Sequence, residues 1–316
     1  VGGHAAVAMH HVTVLGAPGD YVGTNTEAAI GFQGFFLKPG WTNAWADLYP
    51  IGGSLEITNS AFYKMDAPIF VQNALGAQVR VRGNSFDTAE AGFLVFDAYD
   101  SVIKVTQNRF RNLFNAGNVM VWNAEWIAGT LPSQVLVKDN EFWVANGAYG
   151  VWVWEMVRTL DSLIVDNTFH MDSTAGGAIL SMSTLYTAIS RNEIEGPGAF
   201  GVSFMDGPGR ITRNEIEGAT VGIWVECAPG VVVSGNEIEQ SSQWGIAVTS
   251  AMSYWAQALI LNYHLTLSPP TDTLVSHNEV RGSGAFDLYW DGTGTGNVWK
   301  GNACQTSDPP GLCSSH

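Results

Sequence analysis

Residues 188–194 read AISRNEI, residues 211–217 ITRNEIE and residues 231–238 VVVSGNEI: one phrase three times, an alternating apolar run that ends on Asn192, Asn214 or Asn236. Outward from these copies the phrase recurs as LEITNSAF (55–62), VRVRGNSF (79–86), IKVTQNRF (103–110), VLVKDNEF (135–142), SLIVDNTF (162–169), LVSHNEV (274–280) and VWKGNAC (298–304). In register, one slot holds Ser60, Asn84, Asn108, Asn140, Asn167, Asn192, Asn214, Asn236, Asn278 and Asn302, in steps of 24, 24, 32, 27, 25, 22, 22, 42 and 24 residues. A phrase kept at such a period is the mark of a solenoid of stacked coils.

Three residues before the slot stands Ile57, Val81, Val105, Val137, Ile164, Ile189, Ile211, Val233, Val275 or Trp299. A second apolar residue often precedes it by two, the period of a strand with one buried face. Two residues after the slot stand Phe62, Phe86, Phe110, Phe142 and Phe169, then Ile194, Ile216, Ile238 and Val280. Stacked at the ~4.8 Å separation of neighbouring strands, they predict an internal Phe ladder continued by an Ile ladder. The Asn slot fits a sharp corner, where the side-chain amide satisfies turn backbone and bonds its copies above and below. About nine to fifteen residues later each coil has a second strand, often opened by Gly: GFLVFDAYD, NVMVWNAE, GVWVWEM, GAILSMS, GVSFMD, GIWVEC, GIAVTS and FDLYWD. A leucine-rich repeat shares part of the spacing but has one strand per repeat and fixed leucines, which are absent here.

On these residues the chain resembles the right-handed parallel β-helix superfamily, which includes pectate-lyase-like enzymes, phage tailspikes and copper-accessory repeat proteins. The resemblance spans about residues 55 to 302 and implies an all-β solenoid, a right-handed parallel β-helix of about ten to twelve coils. It does not carry a function, because the repeat is structural and hosts many activities. The expected organisation is irregular N-terminal coils over 1–54, the regular β-helix over 55–303 with an insertion at about 251–273, and a tail over 304–316.

Composition narrows the partners. With 29 acidic against 14 basic residues, the net charge of −15 repels nucleic-acid phosphates and anionic membrane surfaces. Neither is an expected partner. No apolar run approaches the length of a membrane span. The opening residue, Val1, leads one to expect a processed or truncated product. Cys304 and Cys313 bracket a Pro/Gly turn and suit a small disulfide loop capping the C-terminus. That points to an extracellular or periplasmic protein. Cys227 is left over and reads as a small buried hydrophobe.

The outward positions of the second strands read, coil by coil, Leu94 and Phe96, Met120 and Trp122, Trp152 and Trp154, Ile179 and Ser181, Ser203 and Met205, Trp224 and Glu226, Ala247 and Thr249, Asp287 and Tyr289. So large an apolar stripe marks a contact. The chain's own loops can cover it, copies or a larger parent assembly can pack on it, or sugar rings can stack on Trp122, Trp152, Trp154, Trp224 and Tyr289.

Carboxylates lie at the exit of the same strands. Asp206 and Glu226 fall on neighbouring coils and form the best candidate catalytic pair for glycoside hydrolysis, with Glu155 two coils away. The plain alternative for each is a solvated strand-end acid. Polysaccharide lysis is disfavoured, since it needs a base and a neutraliser for the substrate carboxylate.

No metal site or cofactor is indicated. Calcium at the Glu193, Glu215, Glu237, Glu279 edge is admitted but no loop motif demands it. The insertion carries Tyr254, Trp255 and His264, which can reach the stripe or simply brace it. Two readings follow: an extracellular β-helix that binds or cleaves a polysaccharide on its aromatic and acidic face, or a non-catalytic structural, self-assembling module.

Overall fold

The computed structural model describes residues 3–15, 30–33, 51–63, 68–87, 92–111, 117–123, 133–155, 162–263 and 266–314. The expected solenoid is what the chain forms: an all-β parallel helix of about nine turns, close to the anticipated count. A ten-stranded parallel sheet collects the short strands that follow the Asn slot, and a 21-stranded parallel sheet collects the two other strands of each coil. The large sheet is continuous because the strand Ile69–Arg82 runs through a corner, pairing with Phe93–Tyr99 by its first half and with Val102–Thr106 by its second.

The corner beside the slot is built alike in every coil. The residue before it has positive φ throughout: Asn59, Gly83, Gln107, Asp139, Asp166, Arg191, Arg213, Gly235, His277 and Gly301. For the non-glycine residues this left-handed conformation costs about 1–2 kcal/mol each. The asparagines offset it. Asn214, for example, donates its backbone N–H and its Nδ2 to Asn236 Oδ1 at 3.0 and 2.9 Å, and its Nδ2 also to the Ile189 carbonyl at 3.1 Å. The same pattern runs from Asn84 to Asn278. Ser60 ends the ladder, its hydroxyl accepting the Val12 N–H and donating to the Thr58 carbonyl.

Inside, Phe62, Phe86, Phe110, Phe142 and Phe169 stack with centroids 4.6–5.1 Å apart and planes within 8°. The aliphatic row then takes over, all of it buried. The rings explain the recurrent glycine. A Cβ on Gly92 or Gly150 would lie 2.4 Å from Phe110 or Phe169, so the second strand passes the ladder only without a side chain there.

Two outward assignments change. The register pairs Val151 with Ile179 and Trp152 with Leu180, so Leu180 and Met182 face outward while Ile179 and Ser181 face the core. The two glycine-led strands are not aligned on their glycines: Gly150 lies opposite Ala178, one residue off. Ser181 is accommodated inside because its hydroxyl pairs with Thr184 Oγ1 at 2.7 Å. Asp287 is buried, accepting the Ser283, Gln305 and Thr306 N–H groups, and Tyr289 takes the outward row alone in that coil.

The insertion contributes one helix, α1 (Tyr254–Tyr263). At the C-terminus Cys304 and Cys313 form the expected disulfide.

Candidate functional site

Two in-register rows make the outer face of the second strands. One is Leu94, Met120, Trp152, Leu180, Ser203, Trp224, Ala247, Tyr289, and the other Phe96, Trp122, Trp154, Met182, Met205, Glu226, Thr249. With Tyr149, Phe200, Val221 and Ala256 of α1, they form a second hydrophobic cluster outside the coil. The middle of the stripe is therefore buried, with Ala256 of α1 packed into it. Trp152 and Trp154 are 7% and 2% exposed, and Leu180, Met182 and Ala256 are fully buried.

The ends of the stripe differ. At the N-terminal end Phe70, Phe96 and Trp122 are half-buried, and Trp122 stacks on Trp154 at 4.8 Å. At the C-terminal end Trp224, Trp244, Phe286 and Tyr289 are half-buried. Trp244 and Tyr289 lie face to face, 4.5 Å and 3° apart. Trp224 is turned 76° from Trp244, and its Nε1 donates to Thr249 Oγ1 at 2.8 Å, which fixes the ring. Trp244 stands at the first position of Trp244–Thr249, ahead of the alternating run, so the outward pattern of the strand does not single it out.

The carboxylates do not share a row. Glu226 lies opposite Met205, while Asp206 lies one residue further, at a positive-φ corner. The Asp206 backbone N–H donates to the Glu226 carbonyl at 3.4 Å, so the two acids stand on adjacent coils, one register position apart. Glu226 is fully buried. Its oxygens accept the backbone N–H groups of Met252 and Ser253 and the Ser253 hydroxyl, and Ser253 Oγ in turn accepts the Ala256 N–H as N-cap of α1. Burial raises the Glu226 carboxyl above the usual range, against the pull of those hydrogen bonds. Burial likewise raises Asp206, which accepts the Ser183 hydroxyl at 3.0 Å. Asp291 is pushed up by burial, but hydrogen bonds from Thr293 and Ser250 outweigh that and leave it lowered. Cys227 is buried among the three acids, and burial first, then their charge, pushes its thiol up to about 12.

The backbone of Glu155 pairs with Asn123, next to the two stacked tryptophans, and its side chain lies outside the described residues, as does that of Trp255. His264 is also outside them, and Tyr254 is 75% exposed on the helix.

The sequence from 132 to 304, more than half of the chain, matches the family model described as periplasmic copper-binding protein (NosD). The chain belongs to the NosD family. This NosD-family chain is thus periplasmic, within the extracellular or periplasmic setting expected from its cysteines. No curated protein sequence matches it. Among solved structures it is similar to the periplasmic alginate epimerase AlgG (12% identity, covering 82% of this chain and 52% of that one, TM-score 0.43). It is also similar to a mannuronic acid specific polysaccharide family 6 lyase from human gut microbiota (16%, 94% and 76%, 0.48) and to the A-module of the Azotobacter vinelandii mannuronan C-5 epimerase AlgE6 (12%, 98% and 79%, 0.37). The NosD-family chain spans about half the length of the alginate epimerase structures it matches.

Proposed function

We propose that this protein is a periplasmic β-helix that binds a polysaccharide without cleaving it, through the half-buried aromatic group Trp224, Trp244, Phe286 and Tyr289. The observation that carries the reading is Trp224, a partly exposed indole held in one orientation by Thr249 beside the Trp244–Tyr289 stack. A fixed aromatic edge with hydroxyls and Asp291 nearby offers apolar contact to sugar CH groups at low entropic cost. Binding is favoured over hydrolysis because Glu226 spends its lone pairs on α1 and has no exposed surface. A general acid must reach the glycosidic oxygen.

The family's description raises copper. Cu(I) selects thiolate and thioether ligands and Cu(II) imidazole. Among the described residues no three of His, Cys, Asp and Glu are grouped to hold a metal, and His10, His11, His170 and His277 lie on separate parts of the solenoid or face apart. The one free thiol, Cys227, is held protonated, whereas metal binding needs the thiolate. The described histidines and the free cysteine thus give no support to an imidazole or thiolate copper centre.

The test is titration with a panel of soluble neutral and acidic glycans. A glycan that binds wild type, binds Trp224→Ala at least roughly tenfold more weakly, and yields no shortened or unsaturated product supports the reading. Product accumulation that stops in Asp206→Asn would overturn it in favour of an enzyme. One observation favours a second reading, assembly: the solvent side of α1 exposes Tyr254, Ile260 and Leu261, the last at 71%. A concentration-dependent oligomer indifferent to every glycan would make that face the interface.

A further inference from the structure

We propose that a second face of the solenoid, away from the aromatic stripe, binds an anionic polysaccharide chain carrying about one carboxylate per sugar. The site is the outward side of the strands Ile69–Arg82 and Val102–Thr106, where Arg80, Arg82 and Lys104 gather in a protein of net charge −15.

Six of the 14 basic residues fall between positions 80 and 138, and three of them share this patch. Arg80 and Lys104 are direct cross-strand partners. Like charges so placed are destabilising. Their neighbours do little to relieve them. Arg80 reaches Glu56 only at 3.5 Å, with both side chains about half exposed. Arg82 spends its Nε on the neutral amide of Gln107 at 2.9 Å, and Lys104 has no ion-pair partner among the described residues. Of the other cations, Arg191 is paired with Asp166 and Arg281 with Glu237, Glu239 and Glu279, while Lys300, without an ion pair among the described residues, stands opposite Ser276 rather than another cation. An exposed, undercompensated cluster with no packing role is where an anion from solution gains most.

Shape gives the class of anion. Arg80 and Lys104 form the shared wall of two shallow grooves of about 210 and 200 Å³, one running past Ser54, Glu56 and Gln78, the other past Arg82, Thr106 and Gln107. Successive coils repeat at ~4.8 Å, so an extended chain lying along the solenoid axis meets Arg80 and Lys104 on adjacent coils, beside a row in which Thr58, Arg82, Thr106 and Lys138 alternate hydroxyl and cation. Such a surface suits a polymer with sparse single charges and many hydroxyls. A nucleic-acid duplex, at one charge per ~1.7 Å, would also press on Glu56 and Asp139 at the groove ends. The repulsion expected from net charge alone therefore does not hold locally, since screening confines each charge to a range of about 10 Å at moderate salt.

This inference does not rest on the aromatic site, and its test separates the two. Polygalacturonate oligomers are titrated at about 0.1 M salt, where screening limits each charge to about 10 Å, with a chelator present, so that no calcium bridge supplies the attraction, into wild type, the surface double variant Arg80→Gln/Lys104→Gln, and Trp224→Ala. Thermal unfolding confirms that each variant is folded. The expected result is binding by wild type that weakens with added salt, a loss of at least roughly tenfold in the double variant, and no change in Trp224→Ala. Absence of wild-type binding, affinity unchanged in the double variant, or equal binding of neutral dextran or duplex DNA through the same residues overturns the proposal. Glycan binding lost only in Trp224→Ala would refute this face while leaving the aromatic one standing.

Discussion

Glu226 and Ser253, 27 residues apart, are joined twice: the carboxylate accepts both the backbone N–H and the hydroxyl of Ser253. Through this pair the solenoid wall holds the N-terminus of α1, which lays Ala256 into the cluster of Trp152, Trp154, Met182 and Met205. An acid that a sequence would assign to chemistry thus fastens a cover, and a carboxylate at a helix N-terminus also opposes the helix dipole favourably.

Removing that fastening should loosen the helix without unwinding the solenoid. Glu226→Ala leaves two buried N–H groups unpaired and is expected to cost about 2–4 kcal/mol. Tryptophan fluorescence should shift to the red as Trp152 and Trp154 become wetted, while far-ultraviolet circular dichroism keeps its β signature.

The pH dependence has a definite sign. Because burial raises the Glu226 carboxyl in the folded state, its contribution to stability is full below the unfolded carboxylate pKa, about 4.3, and is lost as pH rises through the raised folded value. Glu226→Gln, which retains an acceptor for the two N–H groups, should gain stability relative to wild type as pH rises across that window. Denaturant unfolding at pH 4 and pH 7 checks it, and the opposite trend would refute the assignment.

The Asn ladder should be costly to interrupt in its middle. Asn214→Ala removes the Nδ2 bonds to Asn236 Oδ1 and the Ile189 carbonyl and takes the Oδ1 acceptor away from the backbone N–H and the Nδ2 of Asn192. A loss of about 3 kcal/mol is expected from chemical unfolding. Ser60→Ala, at the ladder's end, should cost less.

Cys227 should be chemically silent. With its thiol raised to about 12 by burial and neighbouring carboxylates, it is expected to resist a thiol reagent at pH 8 in the native protein and to react once denaturant exposes it. Rapid native labelling would contradict the packing around it.

Gly150→Ala probes the ladder from the other side. Its Cβ would sit 2.4 Å from the Phe169 ring, and overpacking of this kind costs about 1–3 kcal/mol. The double variant Gly150→Ala/Phe169→Leu should recover part of the loss, as a thermal melt would show.

The sequence by itself determined the solenoid. The slot from Ser60 to Asn302, the Phe-to-Ile row and the leading glycines repeat because every coil meets the same neighbours above and below, so one rule is written ten times and stays legible despite insertions. It also gave the cysteine pair and the burial of Cys227. It did not determine the site. Which face Leu180 or Ser181 takes depends on a one-residue register that alternation alone leaves open, and the occupation of Glu226 depends on where the insertion at about 251–273 returns to the wall. The Arg80 and Lys104 contact likewise arises only when coils stack. Local pattern fixes structure that is periodic, whereas a site is made of residues whose meeting is aperiodic, and only the tertiary structure decides those.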